Sequence, residues 1–169
     1  MELTLFSPPY HRSHLIVDST LCPIERPGEN QQVFYSIKHK THGLKYELGV
    51  RKDGLICWVY GPVPGSVHDI TIIRQGGLKD YLYPNEFIIG DKGYVGENWI
   101  LVPFKGSDLS LEQRGWNHGM HSVRAQVEIT IGWIKNFKAM AMDWREEWDK
   151  NAMCFRVCCF IVNMSIQTR

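Results

Sequence analysis

The sequence predicts a mixed α/β domain, and three features of the chain point to this class. A run of alternating apolar and polar residues followed by Asp53-Gly54 is typical of a β-hairpin. Two short apolar runs each lead to an aspartate, Asp18 and Asp91, as strands do where they reach a functional edge of a sheet. From Ser110 onward, apolar residues recur at helical spacing instead.

The first half of the chain is predicted to be mainly extended. A strand over 15–20 is followed by a loop rich in proline and glycine and by a second extended segment over 33–40. The clearest strand has a period of two, and its apolar members are Leu44, Tyr46, Leu48 and Val50. After the Asp53-Gly54 turn, the returning strand over 55–60 is apolar on both faces, which predicts a central position in the sheet.

The second half is predicted to change from strands to helices. A short helix begins after His68, with Asp69 as its predicted N-cap, and strands follow over 87–91 and 99–105. The helix that begins near Ser110 has one apolar face, made of Val123, Val127, Ile131, Ile134 and Phe137. A final segment over 151–167 is apolar nearly all round and predicts a buried helix.

Composition restricts the class of protein. The 169 residues are 44% hydrophobic and 22% charged, which predicts one globular domain over 1–169. The formal net charge is only +1, so any contact with nucleic acid would have to come from a local patch. The five cysteines include no Cys-x-x-Cys pair and predict free thiols in a reducing compartment. No secretion signal is visible, and the apolar stretch near the C-terminus is shorter than the ~20 residues of a membrane span.

Three acidic residues are candidates for a metal site. Asp18 and Asp91 each follow an apolar run, and Glu128 falls on a polar stripe of the long helix together with Arg124 and Lys135. Carboxylate oxygens are preferred ligands of Mg²⁺, and two such ions ~3.5–4 Å apart hold the attacking and leaving oxygens of a phosphoryl displacement. The sequence therefore predicts a two-metal site, provided that the three acids meet in space.

Each of these acids also has a purely local explanation. Asp18 can initiate a turn by bonding its own backbone, and Asp91 can close a strand with an Asx-turn. Glu128 has an i,i+4 partner in Arg124, which would contribute only a few tenths of a kcal/mol. Spacing alone does not decide between these explanations and a metal site.

Several blocks of the sequence follow one another in an order that identifies a family. They read IVDST and IERP, then YSIKHKTHGLKYELGVRKDGLICWVYGPVPGSVHD, then IIGDKGY and LVPF, and finally WNHGMHSVRAQVEITIGWIKNF. In these blocks the chain resembles the Harbinger-type DDE superfamily endonucleases, which are transposase-derived nucleases. The resemblance implies an RNase H-like fold, with a mixed β-sheet flanked by helices. It also implies cutting and joining of DNA by a DDE carboxylate triad with two divalent ions, Mg²⁺ or Mn²⁺.

The resemblance assigns roles to individual residues. The triad that holds the metals would be Asp18, Asp91 in Gly-Asp-Lys-Gly-Tyr, and Glu128, with 36 residues between the last two. The first motif reads Asp-Ser-Thr where Asp-Gly-Thr is usual. Asp69 matches a family block and would either cap its helix or belong to the metal site. Arg124 and Lys135 would contact DNA phosphates, or they would be ordinary solvated charges of a helix.

Family members use further parts that bear on partners and location. Related transposases carry a helical DNA-binding region before the catalytic domain, and the Harbinger type also uses a separate Myb-like protein. The chain begins almost directly at the first predicted strand, so we expect a catalytic domain alone that acts on DNA in the nucleus. The alternative is a catalytically retired domain kept as a DNA- or protein-binding module. Near-neutral charge favours that alternative, and a complete triad argues against it.

Overall fold

The centre of the molecule is a six-stranded mixed sheet, seen in a computed structural model that describes residues 15–168. Its strands are β1 (Ile16–Pro23), β2 (Tyr35–Ser36), β3 (Thr41–Val50), β4 (Ile56–Pro64), β5 (Ile88–Ile89) and β6 (Ile100–Leu101). They are ordered β2-β3-β1-β5-β6, and β4 also pairs with β3. Strands β2, β3 and β4 join β1 through antiparallel pairing, whereas β5 and β6 run parallel to β1.

Helices cover both faces of this sheet. They are α1 (Gln31–Phe34), α2 (Asp69–Gly76), α3 (Leu111–Lys135), α4 (Lys138–Ala141) and α5 (Trp148–Gln167). Helices α3 and α5 pack on one face over a large apolar cluster, and α2 packs on the other face over a smaller one. The predicted class, a mixed α/β sheet flanked by helices, is confirmed.

The β3–β4 hairpin forms where the sequence predicts it. Gly54 adopts a φ of 90°, a left-handed conformation that glycine tolerates best, and the Arg51 N–H donates to the Leu55 carbonyl at 2.9 Å. The apolar side chains of β3 enter the large cluster, as its period of two predicts. The polar side chains between them are also buried, however, because α2 covers the second face. Lys45 and Glu47 therefore lie inside the protein.

The first strand is longer than predicted, which changes the position of Asp18. Strand β1 continues beyond residue 20 to Pro23, and every one of its residues is paired with β3. Leu21 and Cys22 are buried and extend the apolar run past the polar Ser-Thr pair. Asp18 is therefore the third residue of a central strand rather than the last residue of a short one.

The returning strand β4 is an edge strand, so the predicted central position is wrong. Among the described residues it pairs only with β3, and α2 and α5 cover its two faces, which explains its apolar character on both sides. Its outer edge is closed by the side chain of Asn163 from α5. The Asn163 amide accepts from the Ile56 N–H and donates to the Ile56 carbonyl, each at 2.9 Å.

The predicted extended segment over 33–40 is only partly correct. Val33 and Phe34 belong to α1, and only Tyr35 and Ser36 pair with the start of β3. Phe34 is buried in the large apolar cluster, which holds this short helix against the sheet.

The long helix α3 begins where the sequence predicts it, and a capping box explains why. The Ser110 hydroxyl accepts from the Gln113 N–H, and the Gln113 side chain accepts from the Ser110 N–H. Val127 and Ile134 on its predicted apolar face are fully buried. Phe137, predicted as part of the same face, lies just beyond the helix end and packs on the same cluster.

Two further predictions concern the cysteines and the membrane. All five cysteines are free, as predicted. Within residues 15–168, none of the helices combines the length and the apolar character that crossing a bilayer requires.

Candidate active site

Asp18 projects from the middle of β1 toward helix α3. It shares a face of the strand with Ile16, which belongs to the cluster beneath α3 and α5. One carboxylate oxygen accepts from the Ser19 N–H at 2.8 Å, and the other contacts the Arg124 guanidinium at 3.3 Å. Only 13% of the side chain is exposed. The turn that would explain Asp18 locally is absent, because the residue lies within a strand.

The surroundings make ionisation of Asp18 unfavourable. Burial raises the pKa of its carboxyl from 3.8 to about 6. The Arg124 charge opposes this rise in pKa, while the negative charge of Asp91 adds to it. A cation in addition to Arg124 would therefore stabilise the carboxylate form.

Asp91 lies beside Asp18 because of the parallel pairing of β1 with β5. Ile16 pairs with Ile89, so each aspartate is the second residue beyond that pair on its own chain segment. The Asp91 carboxylate accepts from the Gly93 N–H at 2.6 Å and caps the 3₁₀ turn Lys92–Tyr94. The predicted Asx-type bond is thus present, and it coexists with the position beside Asp18.

Glu128 is connected to Asp18 through Arg124. One terminal nitrogen of the guanidinium lies 3.3 Å from an Asp18 oxygen and 3.7 Å from a Glu128 oxygen. The Asp18 and Glu128 oxygens are therefore within about 7 Å of each other. The Glu128 side chain is 51% exposed, whereas that of Arg124 is only 14% exposed. The predicted i,i+4 pair is present, but it is half of a bridge between α3 and β1.

Asp69 does not cap its helix, and this prediction is wrong. The N-cap of α2 is His68, and Asp69 is the first residue inside the helix. One of its oxygens accepts from the Ser19 hydroxyl at 2.6 Å and from the Lys45 ammonium at 3.2 Å. These bonds tie α2 to β1, at the residue next to Asp18, and to β3. Asp69 is engaged by the sheet because Lys45 and Ser19 face α2.

Gly93 separates the carboxylates of Asp91 and Asp69. A Cβ atom added to Gly93 would lie 2.8 Å from an Asp91 oxygen and 3.0 Å from an Asp69 oxygen. These two oxygens are therefore within about 6 Å of each other. Glycine at this position allows both carboxylates to approach the same backbone segment.

A further carboxylate, Glu47, is completely buried beneath the same part of the sheet. It interacts with the Tyr94 hydroxyl, yet neither oxygen makes a hydrogen bond of ordinary geometry within residues 15–168. Burial raises the pKa of Glu47 well above its usual value, and the nearby charges of Asp69 and Asp18 raise it further. Both effects favour the neutral form of Glu47.

Lys135, predicted as a DNA contact, has partners inside the protein. Its ammonium donates to the Leu21 carbonyl of β1 and, at 2.9 Å, to the Met140 carbonyl of α4. Burial lowers the pKa of Lys135. These bonds hold the end of α3 against β1, and DNA contacts by Lys135 or Arg124 stay a prediction.

The donor atoms suit a hard divalent cation, but they are not yet gathered as a ligand set. In the described part of the chain, no three His, Cys, Asp or Glu side chains form a group that could hold a metal ion. A two-metal site spans roughly 8 Å, from two metal–oxygen distances of ~2.1 Å and a metal separation of ~4 Å. The limit of about 7 Å between the Asp18 and Glu128 oxygens lies within that span. The carboxylate oxygens are therefore of the type that Mg²⁺ or Mn²⁺ prefers, and the separation of Asp18 and Glu128 does not exceed what a pair of such ions can bridge.

Sequence reasoning singled out the three acids, whose role stays a prediction, but it missed the group that surrounds Asp69. Lys45 and Glu47 alternate with apolar residues, a pattern that is typical of a solvated strand face. The apolar residues of α2 could have revealed that this strand face is buried. A helix that buries Ile72 and Ile73 must pack against a face of the sheet. Nothing in the sequence singles out Gly93 except its position shortly after Asp91.

Comparisons with known proteins identify the family of the chain. A family model described as DDE superfamily endonuclease matches residues 17–163. A probable transposase for insertion sequence element IS702 from Microchaete diplosiphon is 30% identical over 151 residues, 83% of this chain and 53% of that protein. An ALP1-like protein from Arabidopsis thaliana is 21% identical over 122 residues, 61% of this chain and 30% of that protein. The chain thus spans about half the length of the first relative and under a third of the second. No solved structure shows significant similarity to it.

Proposed function

The chain belongs to the DDE superfamily endonucleases, and on this premise we propose that it is a divalent-metal-dependent nuclease domain that cleaves or transfers DNA phosphodiester bonds. The observation that carries the proposal is the position of Asp18 and Asp91, each two residues beyond the parallel pair Ile16–Ile89, with Glu128 joined to Asp18 through Arg124. The mixed sheet flanked by helices is consistent with the RNase H-like fold of the family.

Asp18, Asp91 and Glu128 would hold the two ions, which we expect to be Mg²⁺ or Mn²⁺. When bound, such ions supply a Lewis acid that favours ionisation of water and stabilises the charge of the phosphoryl transition state. Strand β1 fixes the Asp18 carboxylate at a buried position, where charge interactions are stronger than in water. The exposed Glu128 closes the site from the solvent side, where the substrate would arrive.

Asp69 acts in this proposal as a positioning residue. Its bonds to Ser19 and Lys45 fix the neighbour of Asp18, and its second oxygen lies across Gly93 from Asp91. It therefore orients both aspartates of the triad without giving up its own partners. Direct ligation by Asp69 would use this second oxygen, because the first one already accepts from Ser19 and Lys45.

We further propose that the protein acts on DNA and does so in the nucleus. The formal net charge of +1 gives the chain little general attraction for DNA. A separate Myb-like protein, of the kind that Harbinger-type enzymes use, would supply target binding. We expect such a partner to be necessary for cleavage at a defined site but not for metal binding.

Calorimetric titration of Mn²⁺ into the protein tests the metal site. Asp91→Asn keeps the oxygen that accepts from Gly93 and removes the charge, so the fold is preserved while the affinity falls. Asp80→Asn, on an exposed turn, is the matched control. Saturable binding by the wild type and the control, lost in Asp91→Asn, is the expected result. Nicking of supercoiled plasmid with Mn²⁺ then tests the activity.

The retired binding module is the second candidate function. It is favoured by one observation, namely that no ready-made ligand group exists among residues 15–168. A correctly folded wild-type protein that binds no Mn²⁺ but still retards DNA in a gel would establish this candidate. Such a result would overturn the nuclease proposal.

A further inference from the structure

The guanidinium of Arg124 lies where a cation of the proposed site would be needed. One of its terminal nitrogens contacts Asp18 on β1 and Glu128 on its own helix, at 3.3 and 3.7 Å. The side chain is 14% exposed, so this single positive charge is held largely away from solvent. It is the only basic side chain among the described residues that forms ion pairs with two members of the triad.

The contacts of Arg124 are loose compared with the Arg51–Asp53 and Arg74–Glu97 ion pairs. Charge-assisted bonds are usually ~2.7–2.9 Å long, and the Arg74–Glu97 pair reaches 2.7 Å. Both contacts of Arg124 are longer, and its buried Nε has no hydrogen-bond partner in the part of the chain that the structure describes. An arginine that formed a permanent structural bridge would be expected to use its planar fork for two short bonds.

We propose that Arg124 is a positioning residue that holds the two carboxylates together before divalent ions bind and then competes with those ions for them. This inference rests on the proposed metal-dependent function. The guanidinium reduces the repulsion between Asp18 and Glu128 and keeps them within about 7 Å before an ion arrives. Its loose contacts allow it to withdraw when divalent ions take over the same oxygens. The domain would then be folded without metal, with an affinity for metal that Arg124 limits.

Mn²⁺ calorimetry on Arg124 variants tests this proposal. Arg124→Gln removes the charge and keeps a polar side chain of similar reach, whereas Arg124→Lys keeps the charge without the planar fork. Arg114→Gln, at an exposed position of the same helix, is the control. We expect Arg124→Gln to bind Mn²⁺ about fivefold to tenfold more tightly than the wild type, because a nearby positive charge is removed. The lysine variant and the control should stay within about twofold of the wild type.

Thermal unfolding provides a second measurement that separates competition from a purely structural role. Without metal, Arg124→Gln should melt at a lower temperature than the wild type, because two carboxylates lose their common partner. Saturating Mn²⁺ should restore the melting temperature of Arg124→Gln more than it raises that of the wild type. A structural bridge would instead give the same deficit with and without Mn²⁺.

The possible outcomes are distinct. Equal or weaker Mn²⁺ binding by Arg124→Gln, with normal binding by the wild type, would overturn the role of Arg124 and leave the proposed metal site intact. Binding by Arg124→Gln alone would support the inference in a stronger form, with metal excluded by Arg124. An absence of binding in every variant would overturn both this inference and the proposed metal site.

Discussion

The edge of strand β4 offers a sharp test of how α5 stabilises the sheet. Asn163 is fully buried, and its amide makes two bonds of 2.9 Å with the backbone of Ile56. Asn151, twelve residues earlier on the same helix, is equally buried but makes one bond, accepting from the Tyr46 hydroxyl at 2.7 Å. The Asn151 amide nitrogen has no partner within residues 15–168. The two asparagines therefore form a matched pair.

The expected loss of stability differs between the two alanine variants. Asn163→Ala leaves both the N–H and the carbonyl of Ile56 buried without a partner, at about 1–3 kcal/mol each, so we expect a loss of roughly 2–6 kcal/mol. Asn151→Ala leaves only the Tyr46 hydroxyl unpaired and removes an amide nitrogen that was already unsatisfied. We expect a loss of about 1–2 kcal/mol for this variant.

Urea unfolding followed by tryptophan fluorescence measures both free energies. The fluorescence signal is well placed, since Trp58 lies on β4 and Trp133 and Trp144 pack against the large apolar cluster. From the middle of the two ranges, Asn163→Ala should be less stable than Asn151→Ala by about 2.5 kcal/mol. Equal losses, or a larger loss for Asn151→Ala, would refute the view that Asn163 serves as the missing neighbour of the edge strand.

Three further predictions concern the carboxylates. The free energy of unfolding of Glu47→Gln should increase relative to that of the wild type as pH rises. The raised pKa of Glu47 means that the folded wild type holds its proton more tightly than the unfolded chain does, so the wild type loses stability above about pH 4.5. Urea unfolding at pH 4 and pH 8 checks this, and a constant difference would contradict it. Gly93→Ala should weaken Mn²⁺ binding about twofold to tenfold in calorimetry, since the added Cβ would displace the Asp91 or Asp69 carboxylate. Unchanged affinity would show that neither carboxylate needs its present position. Mn²⁺ affinity should fall about tenfold from pH 7 to pH 5, because an Asp18 pKa of about 6 leaves roughly a tenth of the carboxyl ionised at pH 5; equal affinities at both pH values would contradict it.

The features that could be predicted from the sequence are those set by local patterns. The period of two in β3, the Asp53-Gly54 turn and the spacing of apolar residues in α3 each depend on neighbours along the chain. The two strands that lead to Asp18 and Asp91 were found for the same reason. Their boundaries were less certain, because β1 is extended through Pro23 by pairing with β3, which no local pattern reveals.

The features that could not be predicted depend on contacts between distant segments. A strand that is apolar on both faces indicates burial, and β4 is buried by two helices rather than by neighbouring strands. Asp69 has the sequence context of an N-cap, but Ser19 and Lys45 engage its side chain from the sheet. The bridge through Arg124 follows from the position of α3 over β1, which the i,i+4 spacing alone does not give.

The short parallel strands have a consequence for how the site loses its order. Strands β5 and β6 are two residues long each, whereas β1 and β3 have eight and ten residues. Segments with few backbone hydrogen bonds open at a lower free energy than the whole fold, so amide hydrogen exchange at Ile89 should be faster than at Leu48. Asp91 follows β5, which should open first, whereas Asp18 lies in β1, whose pairing with β3 should open last. A partial opening of this kind would disrupt the proposed metal site and leave most of the fold intact.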